Sequence, residues 1–329
     1  WRTALHPPVK VRVSRAGPPL ALLLDLPMLP GAAGPEEQLR CAVRATPWLP
    51  HATYASPETT GFERRALAGQ EATIGILQSS LRPGFEGRFD NVTAIEVSLL
   101  RGELSSVSDL QLLNSANLAA VLAANGEWEL LQFGEAEEIE AATWRLTRLL
   151  RGQYGTRPAM LAGAAEGSWF VLLDAAVMPA GLKPSEVGLE LNWRIGPVGY
   201  DFAGPAFASL TSIGGVRART PLSPVHLSAR RTPDGDVLLD WIRRARIDAD
   251  SGLAGAVPLD EEAESYRVEV TPEGGATIRT VTISGPQWTY PAADVTADFG
   301  GVPTTVTFTV RQIGAAGLGD PSNILFDLN

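Results

Sequence analysis

Cysteine is almost missing from this chain of 329 residues: Cys41 stands alone. One thiol makes no internal disulfide and no cysteine-based metal cage, so the fold must rest on burial and hydrogen bonding. Histidine is nearly as scarce, and His6, His51 and His226 lie far apart without ligand spacing. Lysine is confined to Lys10 and Lys183, so arginine supplies nearly all of the 27 basic residues. That bias, with abundant Ala, Gly and Pro, reads as GC-rich coding rather than as chemistry. Charged residues make up only 19% of the chain and their balance is −10. An acidic balance argues against gripping a nucleic-acid backbone, which needs clustered cations to neutralise phosphates. No run approaches the ~18 apolar residues of a membrane span. Residues 20–24, the longest apolar stretch near the start, are too short for a signal-peptide core.

What is present is hydrophobic residues at 45%, punctuated by 33 Gly and 25 Pro. Such punctuation is too dense for a helical bundle and suits short strands joined by turns. The expected fold class is therefore mainly β and multidomain. Period-2 alternation marks strands at residues 9–13 and 92–99, and residues 20–26, 39–46 and 72–77 read as further strands. Residues 31–69 otherwise show weak periodicity. The clearest hairpin joins residues 117–122 to 127–133 through Asn125-Gly126, a pair suited to positive φ. Residues 135–141 read as a helical turn or a loop, and residues 143–152 as a strand with arginines on one face. Further strands are expected at 168–174 and 187–195. From Pro221 onward short alternating strands recur over the last stretch of the chain, as in a small β-sandwich. Three regions are expected: 1–109, a β-rich part; 110–220, a second β-rich domain; and 221–329, the sandwich.

The inventory of chemistry is thin. Acids run in clusters at residues 135–140 and 260–264, and adjacency in sequence does not set two carboxylates across a cleft. No nucleophile elbow accompanies the histidines. Gly152-Gln153-Tyr154-Gly155-Thr156 lacks the Lys of a nucleotide loop. No catalytic, cofactor or metal set is expected, and the segment is not expected to be an enzyme. Of eight tryptophans, Trp128, Trp144, Trp169 and Trp241 sit in alternating strands as core. Trp48 and Trp288, beside prolines, are the candidates for stacking on a glycan.

The order and position of the strands after Pro221 look like a fibronectin type III domain, with Trp241 as core anchor, an insertion at 248–260 and an exit through residues 317–322. The middle of the chain carries a second likeness. Asn125-Gly126-Glu127-Trp128…Gln132-Phe133, then Leu149-Leu150-Arg151-Gly152-Gln153-Tyr154-Gly155-Thr156, then Phe170-Val171-Leu172-Leu173-Asp174 resembles tail-tip proteins of siphophage type. It is most similar to the C-terminal part of the large baseplate protein of gene transfer agents, the megatron protein, over roughly residues 70–220. That resemblance implies hub-type β domains followed by the fibronectin-like sandwich. It implies a structural component of a phage-like tail baseplate, at the central hub or tail tip, serving assembly, host attachment and DNA delivery. Its implied partners are two more copies in a homotrimer, other tail and baseplate proteins, and cell-envelope glycan. The chain starts at Trp1, which fits the C-terminal part of a longer protein. A glycan-binding module is the alternative, and an envelope glycan hydrolase a weaker third. Arg145, Arg148 and Arg151 are candidate inter-subunit contacts, because arginine suits bidentate pairing.

Overall fold

The computed structural model describes residues 17–247, 258–300 and 305–328. The strand expected at residues 9–13 and most of the expected insertion at 248–260 lie outside them. Strands hold 43% of the described residues and helix 11%, so the fold is mainly β.

The described residues open with two antiparallel pairs. β1 (Leu20–Asp25) runs beside β2 (Leu39–Arg44), and β3 (His51–Ser56) beside β4 (Glu63–Ala68). Neither β3 nor β4 was legible from alternation. β3 is buried along most of its length, on both faces, so its small residues show no polar-out period. The chain then leaves this unit. β5 (Ile74–Leu77), β6 (Ile95–Leu99), helix α1 (Asp109–Leu113), β7 (Leu118–Leu122), β8 (Trp128–Glu140), β9 (Thr143–Leu150), α2 (Arg157–Ala162) and β10 (Trp169–Leu172) follow. Their six strands close into a barrel in the order β10-β5-β6-β9-β8-β7. Afterwards the chain returns. β11 (Met178–Pro179) pairs with β2, β12 (Glu190–Pro197) pairs with β3, and β13 (Ala208–Ile213) pairs with β12.

The barrel is thus an insertion in a sandwich whose two sheets, β1-β2-β11 and β13-β12-β3-β4, enclose Leu39, Cys41, Leu191, Trp193 and Ile195. The far face of β1-β2 packs Leu24 and Ala42 against the barrel's outer residues Ile74, Leu130 and Val171. Inside the barrel lie Val97, Val121, Leu131, Phe133, Leu146 and Phe170. The division expected at residue 109/110 runs through the barrel, because β5 and β6 hydrogen-bond to β10 and β9.

Two local expectations change as well. In the β7–β8 hairpin only Gly126 takes positive φ, at 83°; Asn125 instead accepts the Glu127 N–H on its side chain. Residues 135–140 are neither helix nor loop. They extend β8 to 13 residues, since β9 stays paired with it as far as Glu140, across a register shift between Glu138 and Glu140.

After α3 (Val216–Arg219) comes a contiguous unit. It contains β14 (Val225–Arg231), β15 (Val237–Ile242), β16 (Tyr266–Pro272), β17 (Arg279–Ile283), β18 (Gln287–Tyr290), α4 (Ala292–Phe299), β19 (Thr305–Gly314), β20 (Gly317–Leu318) and β21 (Ser322–Asp327). Sheet β14-β15-β18 faces sheet β17-β16-β19, which β20 and β21 extend from β19. This is a fibronectin type III-like sandwich. Trp241 is its anchor, 3% exposed and edge-on to Tyr266 at 5.1 Å. The exit expected at residues 317–322 leads into one more strand, β21, paired with β19 along its length. Among the described residues no helix is long and apolar enough to cross a membrane.

Candidate functional site

The three arginines singled out in sequence have three different fates. Arg145 lies on the outer barrel surface, directly across from Glu96 on β6, and donates to its Oε1 from Nε (3.2 Å) and Nη2 (2.9 Å). Arg148 grips Asp109 of α1 bidentately, at 2.8 and 2.6 Å, while its guanidinium lies 4.6 Å from the Phe89 ring centre. Both are exposed enough to meet a neighbour, but each already has a carboxylate within the chain.

Arg151 is different. It is fully buried, at 0% exposure, so it does not contact another subunit. Its Nε and Nη2 donate to Glu129 at 2.5 and 2.8 Å, and both terminal nitrogens reach the Arg82 carbonyl at 3.3 Å. Glu129 is 1% exposed and also accepts the Gly152 N–H. Two charges so far from water hold only because each satisfies the other. The sequence signal was available: Glu129 alternates with Leu131 and Phe133, which face the barrel interior, and an acid there requires a cation. Thr156 adds a second link, its Oγ1 accepting the Leu130 N–H at 3.0 Å. The sequence elements around Trp128 and Arg151 are therefore two halves of one buried polar joint.

The tryptophan candidates do not converge. Trp48 is half-buried in the first sandwich, its ring centre 5.1 Å from that of His51. Trp288 lies in β18 rather than in a loop, stacked on Tyr290 at 5.1 Å and 18° and packed on the second sandwich's core. Each ring spends one face on its own module. Cys41 is sealed in the first core, where burial pushes its thiol up to about 12 and leaves no reactive thiolate.

The residue that gathers the modules is Arg217 on α3, which nothing in the sequence marked. Its guanidinium meets Asp320 of the second sandwich bidentately, at 2.9 and 2.6 Å, and donates to the Gly155 carbonyl of the barrel at 2.8 Å. Its backbone N–H and that of Gly215 donate to Asp25, the last residue of β1. Burial alone pulls the Arg217 guanidinium down, but its hydrogen bonds and attraction to Asp320 outweigh that and hold it above the ordinary arginine range. Burial raises the Asp25 carboxyl despite the N–H donors around it. Gly155 is tied to this joint by space: a Cβ there would stand 2.3 Å from Leu222 on the way into the second sandwich, at φ 79°.

Beside Arg217 opens a cleft of about 1010 Å³ between the Pro27–Ala32 loop, Tyr154 of the barrel and the 243–247 segment. Its positive charge is largely spent internally. Arg246 is 2.7 Å from Glu261, Arg244 is 3.9 Å from Glu86, and Arg217 belongs to Asp320. The cleft is a seam between modules more than a ready-made anion site. Among the described residues no three His, Cys, Asp or Glu side chains converge as for a metal ion.

Residues 72–171 match the family described as Rcc01698-like, C-terminal. The matched span coincides with the inserted barrel. No curated protein matches the chain by sequence. Among solved structures, domains d3–d4 of the rat CD45 extracellular region align at 14% identity and TM-score 0.24, over 41% of this chain; this chain spans 62% of that one. A two-domain fibronectin type III segment of chicken tenascin aligns at 11% and 0.23, over 78% of this chain and 99% of its own. The FN1–FN3 domains of chicken CNTN1 align at 10% and 0.25, over 95% and 98%.

Proposed function

We propose that the chain is a structural component of a phage-like tail baseplate, placed at the hub or tail tip and acting without catalysis in assembly, host attachment and DNA delivery. The observation that carries this reading is the barrel. It holds the three sequence elements that resemble the gene transfer agent baseplate protein, and it is the span of the family match. The architecture supports the same role. A part that bears load between a tube and a cell surface needs modules that keep their relative positions, and here one buried arginine bonds to three of them at once. The partners on this reading are further copies of the chain, as a homotrimer, and neighbouring tail and baseplate proteins, within a virion-like particle.

The test is to purify tailed particles from cells that encode the chain, quantify it by mass spectrometry and locate it with gold-labelled antibody. Stoichiometric recovery with label at the tail tip is the expected result. Particles that assemble and deliver normally without the chain would sink the proposal.

A further inference from the structure

The outer face of sheet β13-β12-β3-β4 carries a feature that the baseplate reading leaves unused. Along β12 the residues Leu191, Trp193 and Ile195 point into the core, so Asn192 and Arg194 face outward. Register sets Arg64, Tyr54, Arg194 and Ser209 in one cross-strand row on that face. Arg194 is half-buried among rings, 4.6 Å from the centre of Phe202 and 5.6 Å from Phe207. Phe202 in turn packs on Tyr54 at 5.2 Å and on Phe62 at 5.3 Å. The Arg194 Nε is buried without an acceptor. Neither Arg64 nor Arg194 has a carboxylate or carbonyl partner for its side chain among the described residues. The acids nearby are occupied or distant: Glu63 holds Lys183 at 2.7 Å, Asp201 accepts the Ala203 N–H, and Glu190 stands at the far end of β12. In a chain with 37 acids against 27 bases, two arginines flanking one tyrosine without an acidic partner among the described residues stand out.

The complementary surface is on the barrel. The part of β8 that runs on past its pairing with β7 places Glu135, Glu137 and Glu140 opposite Thr147, Arg145 and Thr143, hence on one face, and Glu96 adjoins Arg145 there. Arg145 serves Glu96. Glu137 and Glu140 are exposed and have no cationic partner among the described residues.

We propose that these two faces meet between copies of this chain: the acidic β8–β9 hairpin of one copy docks on the Arg64–Tyr54–Arg194 face of the next. The occupant follows from charge complementarity within the chain itself. The face has the composition of an interface centre, a ring-held arginine with Tyr and Phe, and exposed Leu67, Val198 and Tyr200 lie on or beside it. Because the two faces differ, the contact is heterologous, and it closes a ring or continues as a filament according to its rotation. The inference deepens the assembly reading and rests on it only for its purpose.

The experiment is sedimentation velocity on the full chain over a concentration series at low and high salt. Self-association that weakens with salt is expected, and it is expected to fall about 30-fold or more in Arg64→Glu/Arg194→Glu and likewise in Glu137→Arg/Glu140→Arg. The variant combining all four changes regains it. Arg64→Glu alone, at an exposed position, gives a smaller loss and guards against misfolding of the aromatic cluster, with thermal unfolding as the control. A chain that stays monomeric to its solubility limit overturns the proposal. So do association indifferent to both reversals, a combined variant that regains nothing, or binding of an acidic polysaccharide to the arginine face without self-association. A self-contact rescued by charge exchange stands even where the chain is missing from purified particles, so the two readings fail separately.

Discussion

The first and last modules share one architecture and part company at the surface. Each lays a three-stranded sheet on a larger one around a buried tryptophan, Trp193 in one and Trp241 in the other. In the last sandwich two strand arginines are matched at home: Arg279 holds Asp298 at 2.5 Å and lies 3.2 Å from Asp294, and Arg267 holds Glu269 at 2.8 Å. In the first, Arg64 and Arg194 flank Tyr54 without an acidic partner among the described residues. The fold sets the core and leaves the surface free, so function is argued from the face that fails to satisfy itself. The modules also differ in connectivity, since one is continuous in sequence and the other is split by a barrel.

That difference is sharpened first by the two tryptophans. Trp193→Ala and Trp241→Ala are each expected to cost about 3–5 kcal/mol, as large core truncations do. Hydrogen exchange is expected to separate them. Trp241→Ala loses protection within the last sandwich, whereas Trp193→Ala loses it in β2, β3 and β12 while the barrel keeps its own. Simultaneous loss in both modules would break the comparison. Next in size is Arg217→Met, which leaves Asp320 buried without its cation at a cost of about 3 kcal/mol. Faster cleavage between the barrel and the last sandwich in limited proteolysis is the expected readout, with both cores intact.

A pH profile comes third. The Arg279 guanidinium, with help from the Tyr290 hydroxyl, holds the Asp298 carboxyl below the ordinary value of 3.8. A depressed carboxyl contributes stability that is full above the ordinary value and lost as pH falls through the lower folded one. Acid unfolding of the last sandwich is thus expected to steepen below about pH 4, and Asp298→Asn to flatten it. The unpaired arginines of the first sandwich add no such component. The smallest effect is Arg145→Ala on the barrel surface, under about 1 kcal/mol by denaturant unfolding, since exposed pairs contribute little.

Several strands with one wet face were legible in the sequence. Residues 95–99, 237–242 and 266–272 alternate cleanly and are strands in the structure. β3 escaped because its residues are small and mostly buried, and β4 because only its last residue is fully buried. The split of the first sandwich was invisible for another reason: strands that pair across a barrel's length of chain leave no local trace. The same holds for the joint. Arg217 and Asp320 lie 103 residues apart, and neither stands in a pattern that asks for the other. Arg151 was misassigned by its neighbours, because Arg145 and Arg148 face outward and the chain turns inward right after them. The arginine face escaped since Phe62, Phe202 and Arg194 come together only through the β3–β12 register and the loop before β13.

The inserted barrel also has a place in time. A ribosome completes β1 to β4 first, then the whole barrel, and only afterwards the strands β11 to β13 that the first sandwich needs to close. Joining β3 to β12 across so long an unstructured loop would be entropically costly. Once the barrel folds, Ile74 and Val171, near its entrance and exit, lie directly opposite each other on paired strands. The loop then shrinks to a few residues on either side of that pair. The folded barrel therefore acts as a clasp, holding the two halves of the first sandwich within reach of each other.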